Sequence, residues 1–204
     1  MAKKAYVYNG SAWEDLASSI SDLSSYATTV DLDDYQLKSV AGLTLINTTT
    51  FSAVSSQSIN DVFSATYDNY KILLNFQLTS GGAQLTKMRF RVAGTDNTSA
   101  NNYWSQYIND SNGASGLLTG SAQTSLELGY GYAGGLMQQE INIFRPFLAQ
   151  RSQYTTTQVS ITGTLNITRM TTGSLNLDTS FTGFTIFPAA STITGTVSVY
   201  GLAK

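Results

Sequence analysis

The side chains that usually carry acid–base or nucleophilic chemistry are scarce in this sequence. Its 204 residues include no histidine and no cysteine, which excludes Ser-His-Asp and Cys-His nucleophiles and thiolate metal sites. Paired-carboxylate catalysis needs two converging acids, and seven of the thirteen acidic residues follow residue 39. Of these, Glu127 and Glu140 lie in strand-like segments, and we interpret both as facing outward. We therefore predict a protein without enzymatic activity, cofactor or metal.

The segment 101–110 suits binding better than catalysis, because it combines aromatic rings with amide side chains. Rings stack on the face of a sugar, and amides hydrogen-bond its hydroxyl groups. In a strand, Tyr103 and Tyr107 share one face and Trp104 lies on the other. This alternation favours Trp104 as a core residue and Tyr103 or Tyr107 as a ligand or subunit contact. Trp104 stays a candidate for the ligand as well.

Glycines surround Tyr130 and Tyr132, at positions 129, 131, 134 and 135. The spacing superficially resembles a nucleotide-binding fingerprint, but no helical pattern follows it, so we reject that interpretation. We predict instead a long flexible loop between strands, where binding residues are often displayed by a rigid scaffold. The candidate ligand-binding residues are therefore Tyr103, Trp104, Tyr107, Tyr130 and Tyr132.

The low charge of the chain limits its partners. Charged residues make up 12% of the sequence and the net charge is −2, so there is no basic stripe to neutralise phosphates. We expect no nucleic-acid partner, and no membrane insertion, since no apolar run approaches the roughly 18 residues of a membrane span. The N-terminus lacks the apolar run of a secretion signal, and we expect synthesis in the cytoplasm.

Residues 1–41 differ in pattern from the rest and predict an attachment segment followed by a short helical stalk. The opening alternates aromatic residues around Asn9-Gly10, the dipeptide most typical of a tight hairpin turn. From Trp13 onward, apolar residues recur at spacings of three and four, as in the seam of a coiled coil. The alternative is one amphipathic helix packed on its own domain. The seam residues would be Trp13, Leu16, Ile20, Leu23, Ala27 and Val30.

Residues 42–204 have the pattern of β-strands, with short apolar or alternating runs bounded by Gly, Asn, Asp and Ser. Regularly spaced strands without intervening helices predict a mainly β domain, an antiparallel β-sandwich or jelly-roll-like fold. In the clearest strand, Met88, Phe90 and Val92 are expected to face inward. The expected strands are 43–47, 58–63, 70–77, 86–93, 103–108, 125–130, 138–144, 158–168, 180–187 and 193–200.

Several phrases resemble bacteriophage tail-fibre and related virion appendage proteins. They are the opening Tyr8-Asn9-Gly10-Ser11-Ala12-Trp13, the short heptad, the segment 26–38, the phrase 63–71 that runs into an apolar strand, and the phrase 197–202. The resemblance implies a homotrimer on the virion, whose N-terminal segment binds other virion proteins. It also implies a β domain that binds a host-surface glycan or protein, or alternatively a capsid decoration or tail adaptor with a purely structural role.

Overall fold

The computed structural model describes residues 6–15, 42–111, 114–162 and 165–204. The chain divides into two units, Met1–Ala41 and Gly42–Lys204. Within the described residues every regular element is a β-strand. No helix in this part of the chain is long and apolar enough to cross a membrane.

In the first unit, β1 (Tyr6–Tyr8) and β2 (Trp13–Asp15) form the predicted antiparallel hairpin. Its turn is not the expected two-residue type. Gly10 is the one loop residue with a positive φ, 98°. The Oδ1 atom of Asn9 accepts hydrogen bonds from the backbone N–H groups two and three residues later, each at 2.9 Å. An Asn side chain that bonds its own backbone in this way closes a longer loop.

Trp13 is not the first residue of a helical seam, so that part of the stalk prediction is wrong. It lies in β2 with 71% of its surface exposed, and its ring centroid is 5.3 Å from that of Tyr8. Pairing with Tyr8 holds Trp13 in an extended backbone, whose period of two is incompatible with a heptad. The other predicted seam residues, Leu16, Ile20, Leu23, Ala27 and Val30, lie outside the described residues.

The second unit contains two antiparallel sheets. The strands of the large sheet are β3 (Leu43–Val54), β5 (Asn69–Leu78), β8 (Tyr103–Ser111), β9 (Ala114–Gln123), β11 (Leu136–Phe144), β12 (Ser152–Thr162), β13 (Leu165–Leu175) and β15 (Ile193–Leu202). The strands of the small sheet are β4 (Gln57–Ile59), β6 (Gln84–Val92), β7 (Thr95–Asp96), β10 (Leu126–Gly131) and β14 (Gly183–Pro188). The large sheet has the order β3-β15-β5-β11-β12-β13-β8-β9, and the small sheet the order β10-β6-β14-β4 with β7 beside β6.

The inner faces of both sheets contribute to one hydrophobic core, so the fold is mainly β and sandwich-like. In β5 every second residue points inward, and Tyr70, Ile72, Leu74, Phe76 and Leu78 are all buried. The small sheet contributes Met88, Phe90, Leu126, Leu128, Phe184 and Ile186. Each large apolar side chain removed from water in this way contributes about 1.5–3 kcal/mol.

Parts of the predicted strand pattern are wrong. The expected strand 158–168 is the end of β12 and the start of β13, which pair with each other as neighbours. The Gly-, Ala- and Ser-rich β9 is not among the expected strands, because it has a single β-branched residue and no aromatic residue. Val92 is 40% exposed rather than inward-facing, since it ends β6 beside the short β7. The large sheet alone has eight strands, the number that a complete jelly roll divides between its two sheets.

Candidate functional site

The outer face of the large sheet carries a cleft beside Trp104, where β8 pairs with β13. Trp104 lies opposite Ser174, and Gln106 lies opposite Thr172. Because paired residues on one face of a sheet are neighbours, the indole, the amide and the two hydroxyl groups lie next to each other. Trp104 is 43% exposed, so much of its ring is open to solvent.

The cleft has a volume of about 370 Å³. Its lining residues are Trp104, Ser105, Gln106, Thr172, Gly173, Ser174 and Asn176. Beyond the end of β13, the backbone N–H of Asn176 donates a 2.8 Å hydrogen bond to the backbone oxygen of Asn102, which joins the segments flanking the two strands. The lining therefore combines one aromatic ring with amides and hydroxyl groups and contains no charged side chain.

Gly173 sets the spacing of the two strands under the cleft. A Cβ atom at this position would lie 2.0 Å from the backbone oxygen of Trp104 and 2.4 Å from a ring carbon of Tyr154. Real Cβ atoms do not approach backbone this closely, so any other residue would push β8 away from β13. Glycine here keeps Trp104 and Ser174 paired across one wall of the cleft.

The structure reverses the expected roles of Tyr103 and Trp104. Tyr103 has no exposed surface, and its hydroxyl donates a 2.9 Å hydrogen bond to the backbone oxygen of Asn97 and accepts one from the N–H of Phe90 at 3.2 Å. Burial raises the pKa of Tyr103 well above its ordinary value. Tyr103 as an external ligand contact and Trp104 as a core residue are both wrong. The predicted alternation along the strand is correct, but the face that carries Tyr103 points into the core and the face that carries Trp104 points to solvent.

Tyr107 and Tyr130, far apart in sequence, meet around Arg169. The guanidinium carbon of Arg169 lies 3.4 Å from the ring centroid of Tyr107 and 5.3 Å from that of Tyr130. Its Nη2 atom lies 3.2 Å from Oε2 of Glu127, so Glu127 is paired rather than outward-facing. Burial raises the pKa of the Tyr107 hydroxyl, while the charge of Arg169 acts in the opposite direction. Arg169 is 1% exposed, so this cluster is interior structure and not an open ligand site.

Tyr130 lies in strand β10, which confirms the expected strand 125–130, and the long flexible loop predicted around glycines 129 and 131 is wrong there. The side-chain amide of Gln158, on the large sheet, accepts a 3.0 Å hydrogen bond from the backbone N–H of Tyr130. It also donates a short hydrogen bond to the backbone oxygen of Tyr130. Gly129 permits this approach, because a Cβ atom there would lie 1.5 Å from Oε1 of Gln158. Gln139 likewise donates to the backbone oxygen of Leu128 at 2.7 Å. Buried amides thus replace a neighbouring strand along this edge of β10.

Tyr132 lies in the short connection between β10 and β11, where it is half-buried and packs against the core instead of being displayed to solvent. Its backbone N–H points to the sulfur of Met137 at 3.4 Å, and burial raises the pKa of its hydroxyl. Of the five candidate ligand residues, Trp104 is the one that lines the cleft. The sequence did not predict the ion pair between Arg169 and Glu127. Each of these residues is the single charged residue in its strand, so neither strand indicates a partner for it.

Neither strand carboxylate resembles a catalytic acid. Glu127 is held by Arg169, and Glu140 is paired with Lys71 at 2.7 Å on the outer face, where it faces outward as predicted. Hydrogen bonds from Lys71 and Asn142 lower the pKa of Glu140, whereas a general acid needs a raised one. Among the described residues no group of three or more His, Cys, Asp or Glu side chains is placed to hold a metal ion.

No protein-family model matches the chain, and no significantly similar protein was found among curated sequences or solved structures.

Proposed function

We propose that this protein is a non-enzymatic recognition module of a virion appendage, such as a tail fibre, and that its Trp104 cleft binds a glycan of the host-cell surface. The observation that carries the proposal is the composition of the cleft, an exposed indole among amide and hydroxyl groups. The ring offers a flat apolar face to a sugar, and Gln106, Thr172 and Asn176 offer hydrogen-bond donors and acceptors.

The charge of the cleft favours an uncharged glycan. Its lining contains no Asp, Glu, Lys or Arg. An anionic sugar would therefore lose its hydration without gaining a cationic partner, which is costly. Neutral polysaccharide is the ligand class that fits these groups best.

The virion assignment rests on the resemblance of the sequence to tail-fibre and appendage proteins. Under this proposal the N-terminal segment attaches the protein to other virion proteins, and three copies form a homotrimer. Even if a single cleft binds weakly, three clefts acting on a repetitive surface gain about 10² to 10⁴ in apparent affinity. Weak sites therefore suffice for attachment to a cell.

The test exploits the two tryptophans of the chain. In a Trp13→Phe background Trp104 is the single indole, and its fluorescence should change on addition of host-surface polysaccharide. Trp104→Ala should weaken binding by about tenfold, equivalent to about 1.4 kcal/mol, while the fold survives because 43% of the residue is exposed. Trp13→Ala is the matched control, since it removes an exposed indole from the other unit.

Two results would contradict the proposal in different ways. Full binding by Trp104→Ala would move the glycan site elsewhere on the protein. Absence of any host-surface binding by the wild-type protein on a glycan array and on whole cells would remove the receptor role. Localisation on the particle would then discriminate the roles, since many copies on the capsid lattice favour decoration and a few copies at the tail tip favour receptor binding.

A further inference from the structure

The Trp104 cleft is one end of a longer polar strip on the outer face of the large sheet. Residues that are paired across neighbouring strands form rows perpendicular to the strands, and two such rows begin in the cleft. On β8, β13, β12, β11 and β5 in turn, the first row contains Trp104, Ser174, Gln153, Phe144 and Asn69. On the same five strands, the second row contains Gln106, Thr172, Thr155, Asn142 and Lys71. The two rows together are here called the polar track.

A second pocket lies at the far end of the polar track. It has a volume of about 360 Å³, and its lining residues are Asp68, Asn69, Phe144, Arg145 and Gln153. Gln153 connects the two ends, because it is paired with Ser174 of the cleft on one side and with Phe144 on the other. Each end of the polar track therefore has an aromatic ring beside amide groups.

The groups between the two rings suit the hydroxyls of a sugar chain. On β13 and β12 the two rows carry three hydroxyl groups and one amide, those of Ser174, Thr172, Thr155 and Gln153. The next row along the strands begins with Ile108 and Met170, which are paired and are 57% and 56% exposed. Aliphatic side chains form no hydrogen bond with a hydroxyl group, so the polar track ends at that row.

The charges along the polar track favour uncharged sugars between the two rings. The ammonium group of Lys71 lies 2.7 Å from a carboxylate oxygen of Glu140. At the far end, the carboxylate of Asp68 lies 2.9 Å from the ammonium group of Lys204, and Arg145 is exposed and adds one positive charge. An acidic sugar placed between the rings would lose hydration without gaining a cationic partner, which is costly.

We propose that the polar track binds one extended stretch of polysaccharide across the strands, with one sugar stacked on Trp104 and a later sugar of the same chain at Phe144. This inference rests on the proposed glycan role of the cleft and extends it. β8 and β11 are three strand spacings apart, which places the backbones of Trp104 and Phe144 about 14 Å from each other. A single sugar ring is shorter than that distance, so the site recognises a polymer and not a terminal sugar.

Fragments of host-surface polysaccharide, sorted by length, test the proposal on the full chain by isothermal titration calorimetry. The dissociation constant should fall by about tenfold or more between single sugars and fragments long enough to span both rings, because the second contact on one chain is intramolecular. Phe144→Ala and Gln153→Ala should each remove most of that gain, so that long fragments bind about as weakly as single sugars. Phe144 is half-buried, whereas Gln153 is exposed, so Gln153→Ala tests the contact without removing core packing.

Leu136→Ala and Gln138→Ala are the matched controls. Both change exposed residues of β11 on the same outer face but beyond the polar track, and both should keep the full dependence on fragment length. Equal affinity of the wild-type protein for single sugars and long fragments would overturn the polar track.

The variants also separate this proposal from the function on which it rests. If Trp104→Ala loses binding while Phe144→Ala and Gln153→Ala match the controls at every length, the cleft stands and the polar track is overturned. If the wild-type protein binds no fragment of any length, both the glycan role and the polar track are overturned.

Discussion

The edge of β10 is stabilised by side chains rather than by another strand, and Gln158 is the residue on which this depends most. Its side-chain amide forms hydrogen bonds with both the backbone N–H and the backbone oxygen of Tyr130. Its Nε2 atom also donates a hydrogen bond to Ser160 Oγ at 2.6 Å. Gln158 is 1% exposed, so no solvent replaces it. Gln158→Ala would leave the N–H of Tyr130 buried and unsatisfied, along with much of the bonding capacity of its oxygen.

The expected cost follows from these two backbone groups. A buried polar group without a partner costs about 1–3 kcal/mol, and the Tyr130 oxygen keeps one bond, a 3.3 Å contact from Ser160. With the space left by the amide added, Gln158→Ala should destabilise the fold by roughly 3–4 kcal/mol. Gln138→Ala is the matched control, because Gln138 is an exposed glutamine of β11, where substitution should cost less than about 0.5 kcal/mol.

Urea unfolding followed by circular dichroism measures both variants, and Gly129→Ala completes the test. The new methyl group would collide with the Gln158 amide at 1.5 Å, so the single change should be destabilising. In the Gln158→Ala background that collision disappears, and the two costs should be less than additive by about 1 kcal/mol or more. Equal stability of Gln158→Ala and Gln138→Ala, or strict additivity with Gly129→Ala, would refute the edge-capping argument.

Two further predictions concern the cleft and the buried tyrosines. Gly173→Ala should lower the melting temperature clearly, because its Cβ would lie 2.0 Å from the backbone oxygen of Trp104, whereas Gly82→Ala should be nearly neutral because nothing lies within 4 Å of its Cβ. Tyr103 and Tyr154 have pKa values raised by burial, so the unfolded chain loses their protons first as the pH rises. The free energy of unfolding should therefore fall above about pH 10, the ordinary tyrosine pKa. Tyr103→Phe should reduce that fall, as measured by denaturant titrations at about pH 9 to 11. An unchanged dependence of the free energy of unfolding on pH would contradict the prediction.

The sequence predicts strands well where one face is apolar and the other polar. β6 and β15 alternate in this way, and the structure buries the large apolar residues that the alternation selects, except Val92 at the end of β6. The opening hairpin is also predictable, because its signal is local. β9 has no such alternation and is held by pairing with β8, which the sequence of β9 alone does not reveal.

The candidate site is harder to predict, because alternation says which residues share a face but not which face is inside. β8 carries aromatic residues on both faces, so Tyr103 and Trp104 compete for the core on equal terms in sequence. What decides between them lies elsewhere in the chain, in the backbone groups of Phe90 and Asn97 that bond the Tyr103 hydroxyl. The partners of Gln158 and Arg169 are equally distant, and both depend on the position of β10.

The inward residues of β8 explain why Trp104 is presented rigidly. The Tyr103 hydroxyl forms hydrogen bonds with two backbone groups. The Ser105 hydroxyl shares a 2.7 Å hydrogen bond with the hydroxyl of Tyr154. The Tyr154 hydroxyl also donates a hydrogen bond to the backbone oxygen of Glu127 at 3.4 Å. The neighbours on either side of Trp104 are thus fixed to the interior, which leaves the indole outward with little backbone freedom. A ring that is already positioned loses less entropy when a ligand stacks on it. Under the proposed glycan role, the buried hydroxyl groups of this core would therefore favour binding from the other face of the strand.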